Sequence, residues 1–303
     1  MSDPSATAAR AAKTLAPPGG GGGADPTSPP PIFVGGTGRS GTTVVGRLIG
    51  RHPDHEVIPV EARFHASQDG LPGVFAGSVT PEEFARRVVE KWYGKPGRPK
   101  LSTFIDRDAL DGVLASFLKQ AVEDPVVAGR RLIEDIFGDY ARSRGKRGWV
   151  EMTPINSIWG APALAKAFPE LRMVYVMRDG RDVASSLLSV GWMSDVREAL
   201  SWWETRMWQA HHMCRNLAPD AMHIIRFERL LVEDRAGTMT ALRDYFGWKD
   251  EPTMKRFFER RMTPEAAHVG RWRTHCSPNE RGFLETEYPA ALARLRTAGV
   301  AIP

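Results

Sequence analysis

The chain has 303 residues, 42% of them hydrophobic and 25% charged, which is the balance of an ordinary globular protein. Its two cysteines, Cys214 and Cys276, lie too far apart for a disulfide framework or a cysteine-based metal site, so we expect a cytoplasmic protein without a metal. The net charge of +5 is not gathered into a run of Lys and Arg, and no apolar stretch approaches the roughly 18 residues of a membrane span, so neither nucleic acid nor a membrane is an expected partner.

Residues 1–30 differ in composition from the rest of the chain. They are rich in Ala, Ser, Thr and Pro and contain five consecutive glycines at 19–23. Such a segment buries too little apolar surface to offset its conformational entropy, so we predict a disordered tail over residues 1–30 and one folded domain over residues 31–303. The tail lacks the apolar centre of a secretory signal peptide.

Short apolar runs alternate with helical patterns along the folded part. In chain order, the patterns predict a strand at 31–35, a glycine-rich turn at 36–43, a helix at 42–50, a strand at 56–60, helices at 81–92, 106–120 and 130–142, strands at 149–152 and 171–177, helices at 179–189 and 196–217, a strand at 223–226 and a mainly helical C-terminal part. This alternation predicts an α/β fold in which helices cover both faces of a central parallel sheet. Since ligands of such sheets bind beyond the carboxyl ends of the strands, the loops after Val34 and Met177 are the candidate binding loops.

The first loop, residues 36–43 with the sequence GTGRSGTT, has the pattern of an anion-binding turn. Gly38 and Gly41 would allow a phosphate to approach the backbone, whose N–H groups and following helix favour negative charge. Further donors come from four side chains, which are Arg39, Ser40, Thr42 and Thr43. The spacing resembles a nucleotide-binding P-loop, but Thr42 stands where ATP-using enzymes carry lysine, and this disfavours a kinase. A turn that only joins strand to helix is the structural alternative.

The second loop follows the strand at 171–177. Arg178 stands at the strand's end, and Ser186 lies eight residues later, about two turns into the next helix. Both side chains could contact one anion, because an arginine fork suits phosphate oxygens. Asp179 as the N-cap and Asp182 at the third helical position are expected to accept from backbone N–H groups at the start of that helix.

Together the two loops resemble those of sulfotransferases that use 3′-phosphoadenosine-5′-phosphosulfate (PAPS). The resemblance implies a P-loop-like α/β fold, with Arg39 on the 5′-phosphosulfate and Ser40 to Thr43 in the phosphate cradle. The segment R-x-x-x-D-x-x-x-S, which binds the 3′-phosphate in that family, is matched by Arg178, Asp182 and Ser186. PAPS would then be the cosubstrate and adenosine 3′,5′-bisphosphate (PAP) the product.

Two further segments resemble the same family less closely. Residues 270–275 (GRWRTH) are similar to a stretch near the 3′-phosphate, so Arg271 and Trp272 are candidate cofactor contacts, although Trp272 could instead be packed in the core. The Arg-Lys-Gly triplet that grips the 3′-phosphate in cytosolic members is missing, because Glu265-Ala-Ala267 stands there. Phe227 takes the place of a tyrosine near the adenine. These departures resemble a bacterial-type branch with features of tyrosylprotein sulfotransferases.

The catalytic base has two carboxylate candidates. Glu61, two residues before Arg63, matches a glutamate that serves as base in tyrosylprotein sulfotransferases, and its alternative is a surface pair with Arg63. Glu151 ends the strand at 149–152 and is the second candidate. The histidine base of cytosolic members is absent, because its position is Pro154.

The resemblance therefore implies transfer of a sulfuryl group from PAPS to a hydroxyl, in preference to an amine, of a small-molecule acceptor such as a secondary metabolite or lipid. In-line attack would be assisted by a carboxylate base and would require no metal. The alternatives are an ATP-dependent P-loop kinase and a non-catalytic nucleotide-binding module. A cluster of Trp and Met residues either packs in a helix core or lines an acceptor pocket; its members are Trp192, Met193, Trp202, Trp203, Met207, Trp208 and Met213.

Overall fold

The computed structural model describes residues 29–94 and 100–303, so nearly all of the predicted tail at 1–30 lies outside the described residues. Five parallel strands form one sheet in the order β2-β3-β1-β4-β5. The strands are β1 (Ile32–Gly36), β2 (His55–Val57), β3 (Gly148–Glu151), β4 (Arg172–Met177) and β5 (Met222–Arg226). All five strand predictions are confirmed, although β2 ends at Val57 and is shorter than the predicted 56–60.

The sheet separates two hydrophobic clusters, because successive side chains of a strand point to opposite faces. Ile32 and Val34 pack in one cluster, whereas Phe33 between them packs in the other. β1 is buried along its whole length, as is expected for a central parallel strand with helices on both sides. The predicted α/β class, with both faces of the sheet covered, is confirmed.

Helices make up the rest of the described fold. In chain order they are α1 (Thr42–Ile49), α2 (Leu71–Phe75), α3 (Pro81–Arg87), α4 (Arg107–Ala121), α5 (Pro125–Ile133), α6 (Asp139–Ser143), α7 (Pro154–Ala167), α8 (Gly180–Ser189), α9 (Val196–Cys214), α10 (Arg235–Phe246), α11 (Pro252–Arg261), α12 (Trp272–His275) and α13 (Pro278–Thr297). The π-helical segment Glu134–Gly138 joins α5 to α6, so the predicted helix at 130–142 lies inside a longer helical stretch.

Helix α7 was not predicted. It begins directly at Pro154, which the sequence pattern suggested only as the end of a strand. Proline is tolerated in the first turn of a helix, where its missing N–H would have no intrahelical partner. This helix lies against β1, with the side chain of Ile158 where a Cβ on Gly35 would stand. It thereby forms one wall beside the first candidate loop.

The strand order places the two candidate loops side by side. β1 pairs with β4 along five residues, ending at Gly36 opposite Val176. The chain leaves both strands at the same edge of the sheet, so residues separated by about 140 positions in sequence meet there.

Candidate active site

The loop after β1 has a backbone that only particular residues adopt. Gly38, Arg39 and Gly41 all have positive φ values, of 82°, 57° and 93°. At Gly41, a Cβ atom would stand 2.1 Å from Cε2 of Phe227. This glycine is therefore required both by its left-handed conformation and by the aromatic ring packed against it.

The same loop is suited to an anion. Helix α1 begins at Thr42 with no side-chain cap and no acidic residue in its first turn. Ser40 is fully buried, and its hydroxyl has no hydrogen-bond partner among the described residues. A bound phosphate oxygen would satisfy that hydroxyl and the exposed N–H groups of the helix end. Gly38, Ser40, Gly41 and Thr42 therefore remain the candidate cradle, and the Thr43 side chain beside them is exposed.

Arg39 links the two loops. Its Nε donates to Oγ of Ser186 on α8 at 3.0 Å, and its backbone carbonyl accepts from Nη1 of Arg178 at 3.2 Å. The Arg39 side chain is exposed, and its guanidinium lies 5.8 Å from the ring of Trp192. Three of the predicted site residues are therefore brought into direct contact.

Arg178 is held in a nearly buried position at the end of β4, with 11% of its side chain exposed. Its Nη2 donates to the carbonyls of Ala267 and His268, and its guanidinium lies 4.9 Å from the ring of Phe227. Burial lowers the pKa of Arg178, and the nearby carboxylate of Asp182 opposes that effect. The Nε atom is buried and has no hydrogen-bond partner among the described residues. The cation is thus only partly compensated, and an anion would complete it.

Asp182 does not have the role that was predicted for it. Its two carboxylate oxygens accept from the N–H groups of Gly270 and Trp272 at 2.7 and 3.1 Å, not from the start of α8. The prediction for Asp179 is confirmed, because its side chain accepts from the N–H of Arg181 at 2.8 Å. Asp182 therefore fixes the 270–272 turn against α8, and an i, i+3 count along one helix could not reveal this contact.

The two candidate cofactor contacts from this turn, Trp272 and Arg271, have different environments. Trp272 is 2% exposed, between the guanidinium groups of Arg181 and Arg273 at 4.7 and 4.6 Å, so its indole is packed and does not offer a face to a ligand. Arg271 is exposed, and its Nε lies 2.9 Å from Nε2 of His275. The backbone carbonyls of Ala267 and His268, just before this turn, accept from Arg178. The sequence patterns did not predict this contact.

The two glutamates proposed as bases have opposite environments. Glu61 keeps 47% of its side chain exposed and forms an ion pair with Arg63 at 2.7 Å. Glu151 is fully buried and accepts from the N–H of Thr153 at 3.1 Å, from its hydroxyl, and from Oγ of Ser157 at 3.1 Å. His65 Nε2, also fully buried, lies 3.1 Å from the same carboxylate. Glu151 thus anchors the start of α7, and its carboxylate is shielded from any acceptor.

The Trp and Met cluster is divided between core and surface. Trp203 and Met207 are buried, and Nε1 of Trp203 donates to the carbonyl of Arg178 at 3.2 Å. Trp192 is 61% exposed beside Arg39. The half-buried Trp202 approaches the loop after β1, since its Cη2 would lie 3.3 Å from a Cβ on Gly38. Packing against the core accounts for Trp203 and Met207 and in part for Trp202 and Met193, whereas Trp192 and Trp208 are largely exposed.

Comparison with known proteins identifies the family to which this site belongs. Residues 30–252 match the model of a family described as the sulfotransferase family. The chain belongs to the sulfotransferase family. This confirms the predicted resemblance and supports sulfotransfer activity. A search among curated proteins gives no match.

Two solved structures share the fold of this sulfotransferase. The sulfotransferase domain from the curacin biosynthetic pathway has 16% identity and a TM-score of 0.52, covering 91% of this chain and 99% of its own. The sulfotransferase domain of the Synechococcus PCC 7002 olefin synthase has 15% identity and a TM-score of 0.53, covering 96% of this chain and 100% of its own. At such identities the likeness concerns the fold.

Two further findings apply to residues 29–94 and 100–303. No helix there combines the length and the hydropathy of a membrane span. No group of three or more His, Cys, Asp or Glu side chains could hold a metal ion.

Proposed function

We propose that this sulfotransferase moves a sulfuryl group from PAPS to a hydroxyl of a small-molecule acceptor. The observation that carries the proposal is a pair of adjoining loops, one at the end of β1 and one at the end of β4, that each carry an arginine and a buried or glycine-rich set of hydrogen-bond donors. Arg39 connects them through its contacts with Ser186 and Arg178. A nucleotide with a 5′-phosphosulfate and a 3′-phosphate carries two anionic groups that such a pair would bind.

Two buried hydrogen-bond donors without partners support the binding of such a nucleotide. The Ser40 hydroxyl and the Arg178 Nε are buried donors without partners among the described residues, and each lies in one of the two loops. Since buried donors without partners cost on the order of 1–3 kcal/mol each, a ligand that accepts from both would be favoured. Phe227, predicted to lie near the adenine, is 4% exposed between Gly41 and Arg178, so its ring supports the two loops and offers a ligand little surface.

In this proposal, different groups take different parts in the reaction. Bound PAPS supplies an electrophilic sulfur and a phosphate leaving group. The backbone N–H groups around Gly41 and the guanidinium of Arg39 stabilise the negative charge that grows on the leaving phosphate oxygen as the S–O bond breaks. Glu61 takes the proton of the acceptor hydroxyl as its oxygen bonds to sulfur, so the products are a sulfate ester, PAP and a protonated carboxylate.

Glu61 is preferred over Glu151 as the base because of access. Its carboxylate is half-exposed after β2, at the carboxyl edge of the sheet, and Arg63 holds it. The Glu151 carboxylate is saturated by its buried neighbours.

The nucleotide site can be tested by calorimetric titration with PAP and, separately, with ATP, both without metal. Arg178→Gln should weaken PAP binding by at least about tenfold, because one charge-assisted contact is lost. Arg172→Gln is a matched control, since Arg172 lies at the opposite end of the same strand, where it pairs with the exposed Asp220 and covers the ring of Tyr245. ATP binding as tight as PAP binding, or equal loss in both variants, would refute the assignment and favour a kinase.

The base can be tested by following PAP release from PAPS with a panel of phenols and alcohols. Glu61→Gln should lower the rate by roughly 10²–10⁴-fold and leave PAP affinity and melting temperature unchanged. Glu151→Gln should instead lower the melting temperature, because the buried carboxylate loses an acceptor. Normal turnover in Glu61→Gln would exclude this base. PAP binding without release in any assay of the wild type would favour a non-catalytic module.

A further inference from the structure

One arginine beside the site has a positive charge without a carboxylate partner. Arg206, on α9, is half-buried, and its guanidinium lies between two indoles, 4.6 Å from the ring of Trp159 and 5.1 Å from that of Trp202. Its Nη1 donates to Oε1 of Gln209 at 2.7 Å. Among the residues that the structure describes, no acidic side chain pairs with it, and burial alone lowers the pKa of Arg206.

The guanidinium also keeps one binding edge free. Nε is buried and has no hydrogen-bond partner among the described residues. Nε and Nη2 together form the side-on edge with which arginine binds a carboxylate by two parallel hydrogen bonds. Since Gln209 takes only Nη1, this edge has no acceptor among the described residues, and a planar anion that reached it beside the partly exposed Nη2 side would supply one. The two aromatic rings stabilise this half-buried cation but provide no counter-charge, so an anion would add a favourable contact.

The position of this arginine relates it to the reaction. Trp202, which covers one face of the guanidinium, reaches the phosphate loop at Gly38 with the edge of its ring. Ile155 of α7 lies against the same glycine, and its Cδ1 would be 3.3 Å from a Cβ there. The indole of Trp202 therefore separates Arg206 from the loop that carries Arg39, on the side formed by α7 and α9.

We propose that Arg206, Trp159 and Trp202 bind the acceptor, and that the acceptor is a hydroxylated molecule with a flat or apolar body and a carboxylate. The carboxylate would occupy the Nε and Nη2 edge of Arg206. The body would lie against Trp202, with the hydroxyl directed toward Arg39. This assignment of the acceptor class rests on the proposed function, whereas the anion site itself is independent of it.

The test uses a matched pair of probes, 3-(4-hydroxyphenyl)propanoate and the corresponding amide. Calorimetry of each probe is carried out on the PAP-loaded and on the nucleotide-free protein. The acid should bind at least about tenfold more tightly than the amide, because a hydrogen-bonded charge contact contributes about that factor. Arg206→Gln should reduce the difference to within about twofold, whereas Arg206→Lys should retain part of it.

Arg197→Gln is the matched control, because Arg197 lies on the same helix and also covers an aromatic ring, that of Phe283 at 5.0 Å. It should leave the preference for the acid unchanged. No binding of the acid, equal binding of the two probes to the wild type, or an equal loss in Arg197→Gln would overturn the proposal. A wild type that does not bind PAP but still prefers the acid through Arg206 would refute the PAPS function and leave the anion site in place.

Discussion

Asp182→Asn removes the charge that holds the 270–272 turn against α8. The wild-type carboxylate accepts two backbone hydrogen bonds, from Gly270 at 2.7 Å and Trp272 at 3.1 Å, and 1% of the side chain is exposed. An asparagine has one oxygen, so one N–H is left facing an amide NH₂ in a place that water does not reach. Arg178, whose Nη2 lies 3.9 Å from a carboxylate oxygen of Asp182, also loses an ion-pair partner.

The magnitude follows from these contacts. A buried donor left without an acceptor costs about 1–3 kcal/mol, and the remaining hydrogen bond is weakened by roughly 1 kcal/mol when its acceptor becomes neutral. The sum is about 2–4 kcal/mol. In a chain of this size, each kcal/mol shifts the melting temperature by about 2–4 °C, so the expected decrease is roughly 4–16 °C. PAP affinity should fall as well, by about tenfold, because the turn that holds Arg178 through Ala267 and His268 is loosened.

The assay is thermal unfolding followed by circular dichroism, together with calorimetric titration of PAP at a temperature where both proteins are folded. Asp220→Asn is the control, since Asp220 is 74% exposed and pairs with Arg172 at 2.9 Å, and exposed pairs contribute about 0–1 kcal/mol. A melting temperature of Asp182→Asn that stays within about 2 °C of the control would refute the reasoning.

Two further predictions concern the residues around the phosphate loop. Gly41→Ala should abolish PAP binding and lower the melting temperature far more than Gly77→Ala. Both glycines have positive φ, but only at Gly41 would a Cβ meet the Phe227 ring. Similar melting temperatures of the two variants would show that the ring moves aside. Burial raises the pKa of Glu228 from 4.5 to about 7 in the folded protein, so the stability that its protonated form contributes is present below pH 4.5 and is lost as the pH rises through 7. Glu228→Gln can still accept from the N–H of Asp179. As the pH rises from 4.5 to 7, this variant should gain stability relative to the wild type, by at most about 3 kcal/mol. A difference in melting temperature between the two proteins that stays constant over this pH range would contradict the raised pKa of Glu228.

Several features of the site could be predicted from local sequence. An apolar run, then glycines, then a helical pattern predict a strand, a turn and a helix in that order, independently of the rest of the chain. The motif around Arg39 and that around Arg178 each belong to one such unit. Parallel strands place their carboxyl ends at one edge, so the proximity of the two loops follows from the predicted sheet.

Other features depend on contacts between distant segments, and no local pattern encodes them. Asp182 accepts from residues 88 and 90 positions later, and a spacing rule within one helix assigned it to the wrong donors. Glu151 and Glu61 look alike in sequence, since one lies at the end of a strand and the other shortly after one. Yet Glu151 is enclosed by α7 and His65, whereas Glu61 stays half-exposed.

The proposed acceptor site also combines features set by local sequence with features set by tertiary contacts. The sequence by itself determined that the chain forms a parallel sheet with two loops that carry the candidate anion-binding residues, because periodicity, glycine conformation and helix starts act over a few residues. Only the tertiary structure decided which charges are compensated. Arg206 lies between Trp159 and Trp202 without a carboxylate among the described residues, because α7 and α9 pack together, and burial is a property of the packed chain and not of any one segment.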